Sequence, residues 1–248
     1  MRHVIRPLLA TLALTLAACG GRDSSPIKTT SAGGAEVSPA ADSVGSRGHS
    51  LVRVVNATSG GKTITVQLGD RTLFNELAAG TVSDYSEVAT NLAMFSVLSA
   101  AAPGATMLSQ ADRILVDGNR YTVFVITKDV AQQELRVVRD DVIPDSGKAR
   151  LRLIHAAPGG PEFDVQSPGT VDRLFRGVKF LAEAGPTDLN PAASIALELR
   201  AAGESRILLK LPSVELRRST TTTFVVTGTD KLVGFHFVDA MMKATPKP

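Results

Sequence analysis

The chain has 248 residues, with 27 Lys and Arg against 24 Asp and Glu, 44% hydrophobic residues, one Cys, two Tyr and no Trp. Without its first 18 residues, which hold Arg2 and Arg6, the balance is 25 against 24, and no block of like charge stands out. That pattern excludes a nucleic-acid binder, which would show a basic stripe, and a single thiol excludes a disulfide-stapled fold.

The chain opens with Arg2 and Arg6, a short apolar run from Leu8 to Leu16, and then Leu16-Ala17-Ala18-Cys19. A basic start, a short greasy core and small residues at the cut are the anatomy of a secretory signal peptide. The apolar run is well short of the roughly 20 residues that span a bilayer. Leu16, Ala17, Ala18 and Cys19 resemble the lipobox of bacterial lipoproteins, which implies cleavage before Cys19 and lipidation of that Cys. Two acyl chains already give stable membrane residence. Gly20 stands where Asp would resemble an inner-membrane retention signal, so the expected location is the outer membrane. Residues 1–18 are therefore read as the signal.

Residues 19–50 are read as a flexible tether. They are dominated by Gly, Ser, Ala and Pro and lack any aromatic, so they cannot bury enough apolar surface to offset the entropy of ordering. As a coil they would average roughly 30 Å end to end.

After Ser50 short alternating runs begin. Ile64, Val66 and Leu68 alternate with Thr63, Thr65 and Gln67; Ile195, Leu197 and Leu199 form another run, and Ile207, Leu209 and Leu211 a third. Period-two alternation predicts strands with one face buried and one wet. Turn signals at Ser59-Gly60-Gly61, Gly69-Asp70, Asp117-Gly118-Asn119, Pro158-Gly159-Gly160 and Pro168-Gly169 separate them. Val88–Ala102 reads as a strand followed by a loop ending at Pro103-Gly104.

Blocks recur at offsets of 99 to 101. Arg53-Val54-Val55-Asn56-Ala57 returns as Arg152-Leu153-Ile154-His155-Ala156, Thr65-Val66-Gln67 as Asp164-Val165-Gln166, and Leu73-Phe74 as Leu174-Phe175. Thr122–Thr127 returns as Thr222–Thr227. The expected architecture is all-β: two tandem immunoglobulin-like antiparallel β-sandwich domains, at 51–143 and 148–242, joined at Ile143-Pro144-Asp145-Ser146-Gly147.

Ala79-Gly80-Thr81-Val82-Ser83-Asp84-Tyr85, His155-Ala156-Ala157-Pro158 and Phe163-Asp164-Val165 resemble blocks of the domain of unknown function family numbered 4397. The resemblance covers about residues 51–240 as two copies. Each copy departs from the pattern: Asn56 stands where His is expected, and Glu183-Ala184-Gly185-Pro186 replaces the Ser-Asp-Tyr block. The resemblance implies exported, often lipidated, β-rich proteins and supplies no activity.

Asn56–Thr63 misses a phosphate-binding loop by one Gly, but the residues that follow alternate as a strand, whereas such a loop must open a helix. It is read as a hairpin turn. His49 falls in the tether; His155 and His236 fall on separate strands without ligand spacing. Asp140-Asp141 reads as solvated charge at a domain end. Asp84, Tyr85, His155 and Asp164 remain as a binding or structural motif, Tyr85 with its ring tucked inward and its hydroxyl on backbone. The sequence thus points to a non-catalytic module, with no cofactor or metal. It is held to the membrane by lipid on Cys19 and contacts an envelope protein or polysaccharide. The alternative is a small-ligand carrier or sensor with a pocket between or within the sandwiches.

Overall fold

The computed structural model describes residues 48–90, 92–99, 105–129, 132–140 and 144–240, which lie in one compact unit, Val44–Pro248. Cys19, the lipobox and most of the tether lie outside these residues. Everything described is strand, turn or loop, and no helix there is long and apolar enough to cross a membrane.

Eight strands form the first sheet pair: β1 (His49–Ala57), β2 (Ile64–Leu68), β3 (Arg71–Leu77), β4 (Ser86–Ala89), β5 (Leu92–Ser99), β6 (Met107–Ile114), β7 (Arg120–Thr127) and β8 (Gln133–Arg139). One sheet has the order β4-β1-β7-β8 and the other β3-β2-β5-β6. The second pair uses β9 (Ala149–His155), β10 (Phe163–Gln166), β11 (Arg173–Val178), β12 (Glu183–Leu189), β13 (Ala192–Ile195), β14 (Glu198–Ala201), β15 (Ile207–Lys210), β16 (Val214–Leu216), β17 (Thr220–Thr227) and β18 (Val233–Ala240). Its sheets, β12-β9-β17-β18 and β11-β10-β14-β15, repeat the earlier orders strand for strand, with a β13-β16 ribbon added.

Two expectations are corrected here. The sheets are not purely antiparallel, because β1 runs parallel to β7 and β9 parallel to β17. The tether also ends earlier than expected: His49 and Ser50 already belong to β1. There Asp117 Oδ1 accepts the His49 amide at 2.7 Å, and Glu87 lies 3.2 Å from its ring. Val88–Ala102 holds parts of two strands, β4 and β5, rather than one; its final loop lies outside the described residues.

Three apolar clusters place the sheets in four layers. Val52, Val54, Val123 and Val125 point from β1 and β7 toward Ile64, Val66, Phe95 and Val97 of the neighbouring sheet. Leu151, Leu153, Phe224 and Val226 do the same toward Phe163, Val165 and Leu199. The opposite faces of the same central strands meet each other: Val55, Ala57, Phe124 and Ile126 pack with Ile154, Ala156 and Val225. Central strands buried on both faces read as continuous apolar runs, so Tyr121–Thr127 and Leu151–His155 show no wet face.

Double burial also resolves the repeat in β7 and β17. Arg53 stands opposite Thr122, whereas Arg152 stands opposite Thr223. The structural counterpart of Phe124 is therefore Val225, one residue away from the Phe224 that its sequence block suggests. A one-residue slip exchanges the two faces of a strand: Phe124 sits between the sheet pairs and Phe224 inside the second pair.

Candidate functional site

A buried cluster of charged side chains lies between the two sheet pairs. Arg53 and Arg152 project from matching positions on β1 and β9, and Asp140 and Asp239 from matching positions at the ends of β8 and on β18. Arg53 donates to both oxygens of Asp239, at 2.6 and 2.5 Å, while Arg152 donates to Asp140 at 3.0 Å. Each arginine of one pair thus meets the carboxylate of the other. All four residues are 3–6% exposed, so the charges survive burial only because each finds a partner. Thr122 and Thr223 accept from the two arginine Nε groups at 2.8 and 3.1 Å.

Tyr85 completes one end of this seam. Its hydroxyl donates to Asp140 Oδ2 at 2.9 Å, and Thr122 donates to the same oxygen at 2.6 Å. The Tyr85 ring lies 4.6 Å from the Arg53 guanidinium and 5.7 Å from that of Arg120. Burial, then the nearby charge of Asp140, pushes its phenol well above the ordinary value. The hydroxyl therefore meets a carboxylate rather than backbone. Asp84 beside it is exposed.

Asp140 departs from its sequence reading. It is buried and sits at the centre of the seam, not solvated at a chain boundary; Asp141 lies outside the described residues. Sequence reasoning missed the four-residue set because Arg53 and Asp239 are 186 residues apart. The signal was present in the offset of 99 that relates Arg53 to Arg152 and also Asp140 to Asp239.

His155 and Asp164 lie elsewhere, at the end of β9 and within β10. His155 is fully buried, with its ring 4.5 Å from Phe163. Nε2 reaches the Pro161 carbonyl at 3.2 Å, and Nδ1 accepts the Ala157 amide at 3.3 Å. That pair of bonds assigns the neutral tautomer with the proton on Nε2. Asn56 does the same in the first pair: its amide donates to the Lys62 carbonyl at 2.9 Å and its oxygen accepts the Thr58 amide at 3.0 Å. Gly160 permits the second turn to close, since a Cβ there would lie 3.0 Å from the imidazole. Burial holds the His155 pKa below its ordinary value, against a smaller upward pull from the Pro161 bond.

Asp164 accepts the Gly177 and Gly203 amides at 2.8 and 3.0 Å and pairs with Arg173 at 3.0 Å. Burial alone would raise its pKa, but the two amides and the cations of Arg173 and Arg176 together hold it below the ordinary range. Its counterpart Thr65 accepts the Glu76 amide at 3.4 Å. Glu76 and Gly177 both have left-handed backbones, φ 50° and 57°, at the bulges of β3 and β11. Asp164 therefore pins a bulge that Thr65 pins without a charge.

Residues 50–166 match the family model described as Domain of unknown function (DUF4397). The chain carries a DUF4397-like domain. The DUF4397 match begins in β1 and ends at the last residue of β10, so it includes Arg53, Tyr85, Asp140, Arg152, His155 and Asp164 together. No curated protein matches the chain. Among solved structures it is similar to CBMbc (family CBM26) from Eubacterium rectale Amy13K, in complex with maltoheptaose. The identity is 9% and the TM-score 0.22, over 75% of this chain and 96% of that one.

The turn after β1 in the DUF4397-like region is not a hairpin, because β1 and β2 belong to different sheets. It is a corner between layers. Ser59 within it accepts the Gly228 amide at 3.3 Å and lies 3.2 Å from the Thr227 hydroxyl, so it also ties the two sheet pairs together. Among the described residues no group of three or more His, Cys, Asp or Glu is placed to hold a metal ion.

Proposed function

We propose that this chain is a non-catalytic contact module of the bacterial envelope, anchored by lipid on Cys19 and lifted from the membrane by residues 20–48. The observation that carries the reading is the equivalence of His155 with Asn56 and of Asp164 with Thr65. The titratable side chains best suited to chemistry do backbone work that neutral side chains perform equally well in the first sheet pair. Nothing in that work needs a proton to move.

The surface favours a protein over a polysaccharide as the partner. Leu92 and Ile114 stand directly opposite each other on β5 and β6, 64% and 75% exposed, with Met94 next along the same face. Exposed apolar neighbours of this kind mark contact surfaces. The large apolar side chains exposed among the described residues are all aliphatic, whereas sugar rings are commonly gripped by exposed aromatics.

The test is crosslinking in intact envelopes with the wild-type chain, Cys19→Ala and Leu92→Lys/Ile114→Lys. A discrete protein adduct is expected for the wild type, with both variants losing most of its yield. Unchanged neighbours in the Cys19→Ala chain would refute the anchor, and unchanged yield in the double variant would refute the surface. Capture of glycan alone would favour the polysaccharide reading.

A further inference from the structure

The hairpin that carries the exposed aliphatic face is built differently in the two sheet pairs. Val97 and Leu199 stand opposite the matching residues Val66 and Val165, and Ser109 and Leu209 stand opposite them in turn. Counted along the chain from these, Leu92 and Met94 answer to Ser194 and Ala196, and Ile114 and Val116 to Val214 and Leu216. In the second pair the hairpin breaks after β15 at Pro212 and continues as the β13–β16 ribbon, so Val214 and Leu216 join the core. In the first it runs on without a break and leaves Leu92, Met94, Ile114 and Val116 exposed.

This face lies where the described residues begin. The Gly48 carbonyl accepts the Thr90 amide at 2.7 Å, and the His49 carbonyl accepts the Gly118 amide at 2.9 Å, next to the bond from the His49 amide to Asp117. Thr90 is two residues before Leu92, and Asp117 directly follows Val116. The segment before Gly48, read above as the tether, thus leaves the fold beside the patch. Leu92 and Ile114 are cross-strand neighbours, as are Met94 and Asp112. A two-fold axis running along the strands, between β5 and β6, lays Leu92 of one copy on Ile114 of another, and Ile114 on Leu92. It sets Asp112 against Met94 of the other copy, so the two carboxylates do not meet. It also leaves both tethers at the same end, as two copies held in one bilayer require. An axis across the strands would send them to opposite ends.

We propose that the β5–β6 face pairs with the same face of a second copy of this chain anchored in the same membrane. The inference rests on the anchored contact module above and names its partner. Four exposed aliphatic side chains offer each copy a patch of a few hundred Å², short of the ~800 Å² per partner of stable soluble complexes. Anchoring makes up the difference, because flexible tethers rooted in one bilayer hold the two faces at an effective concentration of about the millimolar range. The chain is therefore monomeric when released and paired when held.

Energy transfer between two differently labelled full-length chains in phosphatidylethanolamine–phosphatidylglycerol vesicles reads the pairing. Wild-type chains should transfer several-fold more than Leu92→Lys/Ile114→Lys chains at the same surface density. Mixing those variants with Leu92→Glu/Ile114→Glu chains should restore transfer, because the axis sets each introduced amine on an introduced carboxylate, whereas neither variant pairs alone. The Cys19→Ala chain in solution should pair at least about 10-fold more weakly. Wild-type transfer no greater than that of Leu92→Lys/Ile114→Lys, or none restored by the mixture, would overturn the second copy. The contact surface would then stand or fall by the envelope crosslinking above, with another protein on it. Equal pairing of the Cys19→Ala chain would overturn the role given to the anchor. Chains that do not stay with the vesicles would refute the anchor, and this pairing with it.

Discussion

His155 shows how one side chain can be chemically conspicuous and mechanically ordinary. Its ring closes the β9–β10 turn in the neutral form, and burial keeps its pKa below the ordinary value. The unfolded chain therefore takes up the proton first, near pH 6.5. His155 stabilises the fold fully above that pH, and its contribution falls as pH drops below it, by about 1.4 kcal/mol per pH unit until the folded-state pKa is reached. His155→Asn, which installs the side chain of the first sheet pair, should flatten this part of the profile. Urea midpoints measured from pH 7.5 to 5 would show it; an unchanged slope would mean the imidazole is not titrating between the two states. The sequence revealed that His155 and Asn56 correspond. It could not reveal that both close a turn, because the acceptor carbonyls at Pro161 and Lys62 carry no residue-type signature.

At the scale of strands, the outer sheets were readable and the central ones only in part. Ile64 and Val66 of β2 and Leu199 of β14 alternate with Thr65 and Glu198 because the apolar side chains face the core, while the polar ones are buried on the other side by hydrogen bonds to Asn75 and Arg200. In β7 and β17 both sides are buried, the alternation vanishes, and the strings Thr122–Thr127 and Thr222–Thr227 align by letter one residue away from their spatial match. Bulges were equally hidden, since a register shift leaves no periodic trace. The bulge of β3 puts Glu76 at φ 50°, where a Cβ is strained and glycine is not. Gly177 holds the same place in β11. Glu76→Gly should therefore be neutral or stabilising by up to about 1 kcal/mol, relief of strain offsetting glycine's larger unfolded-state entropy. A denaturant melt checks it; a loss of more than about 1 kcal/mol would show that the Glu76 side chain supports the bulge.

For the molecule as a whole, the sequence expected two units with limited freedom. The structure joins them through an apolar layer and crossed ion pairs. The offset of 99 made the repeated strand order visible, but nothing local announced that Arg53 would seek Asp239 rather than a neighbour. Cutting the chain should expose the consequence. Residues 48–142 alone would present Phe124, Val55 and Ile126 to water and part Arg53 from Asp239, as residues 148–242 would part Arg152 from Asp140. Exposing large buried apolar side chains costs about 1.5–3 kcal/mol each, so losing this layer forfeits a large share of the 5–15 kcal/mol that holds a typical domain. The intact chain should unfold in one cooperative step, and each fragment should be much less stable or aggregate. Two fragments as stable as the parent would show that the layer between them is incidental.

The swapped pairing also constrains how such a gene can change. A new charge at position 140 must be answered at 152, and one at 239 must be answered at 53, so a change in either sheet pair is judged by the other. Neither sheet pair can be deleted or borrowed without parting both arginine–aspartate pairs and opening the apolar layer beside them.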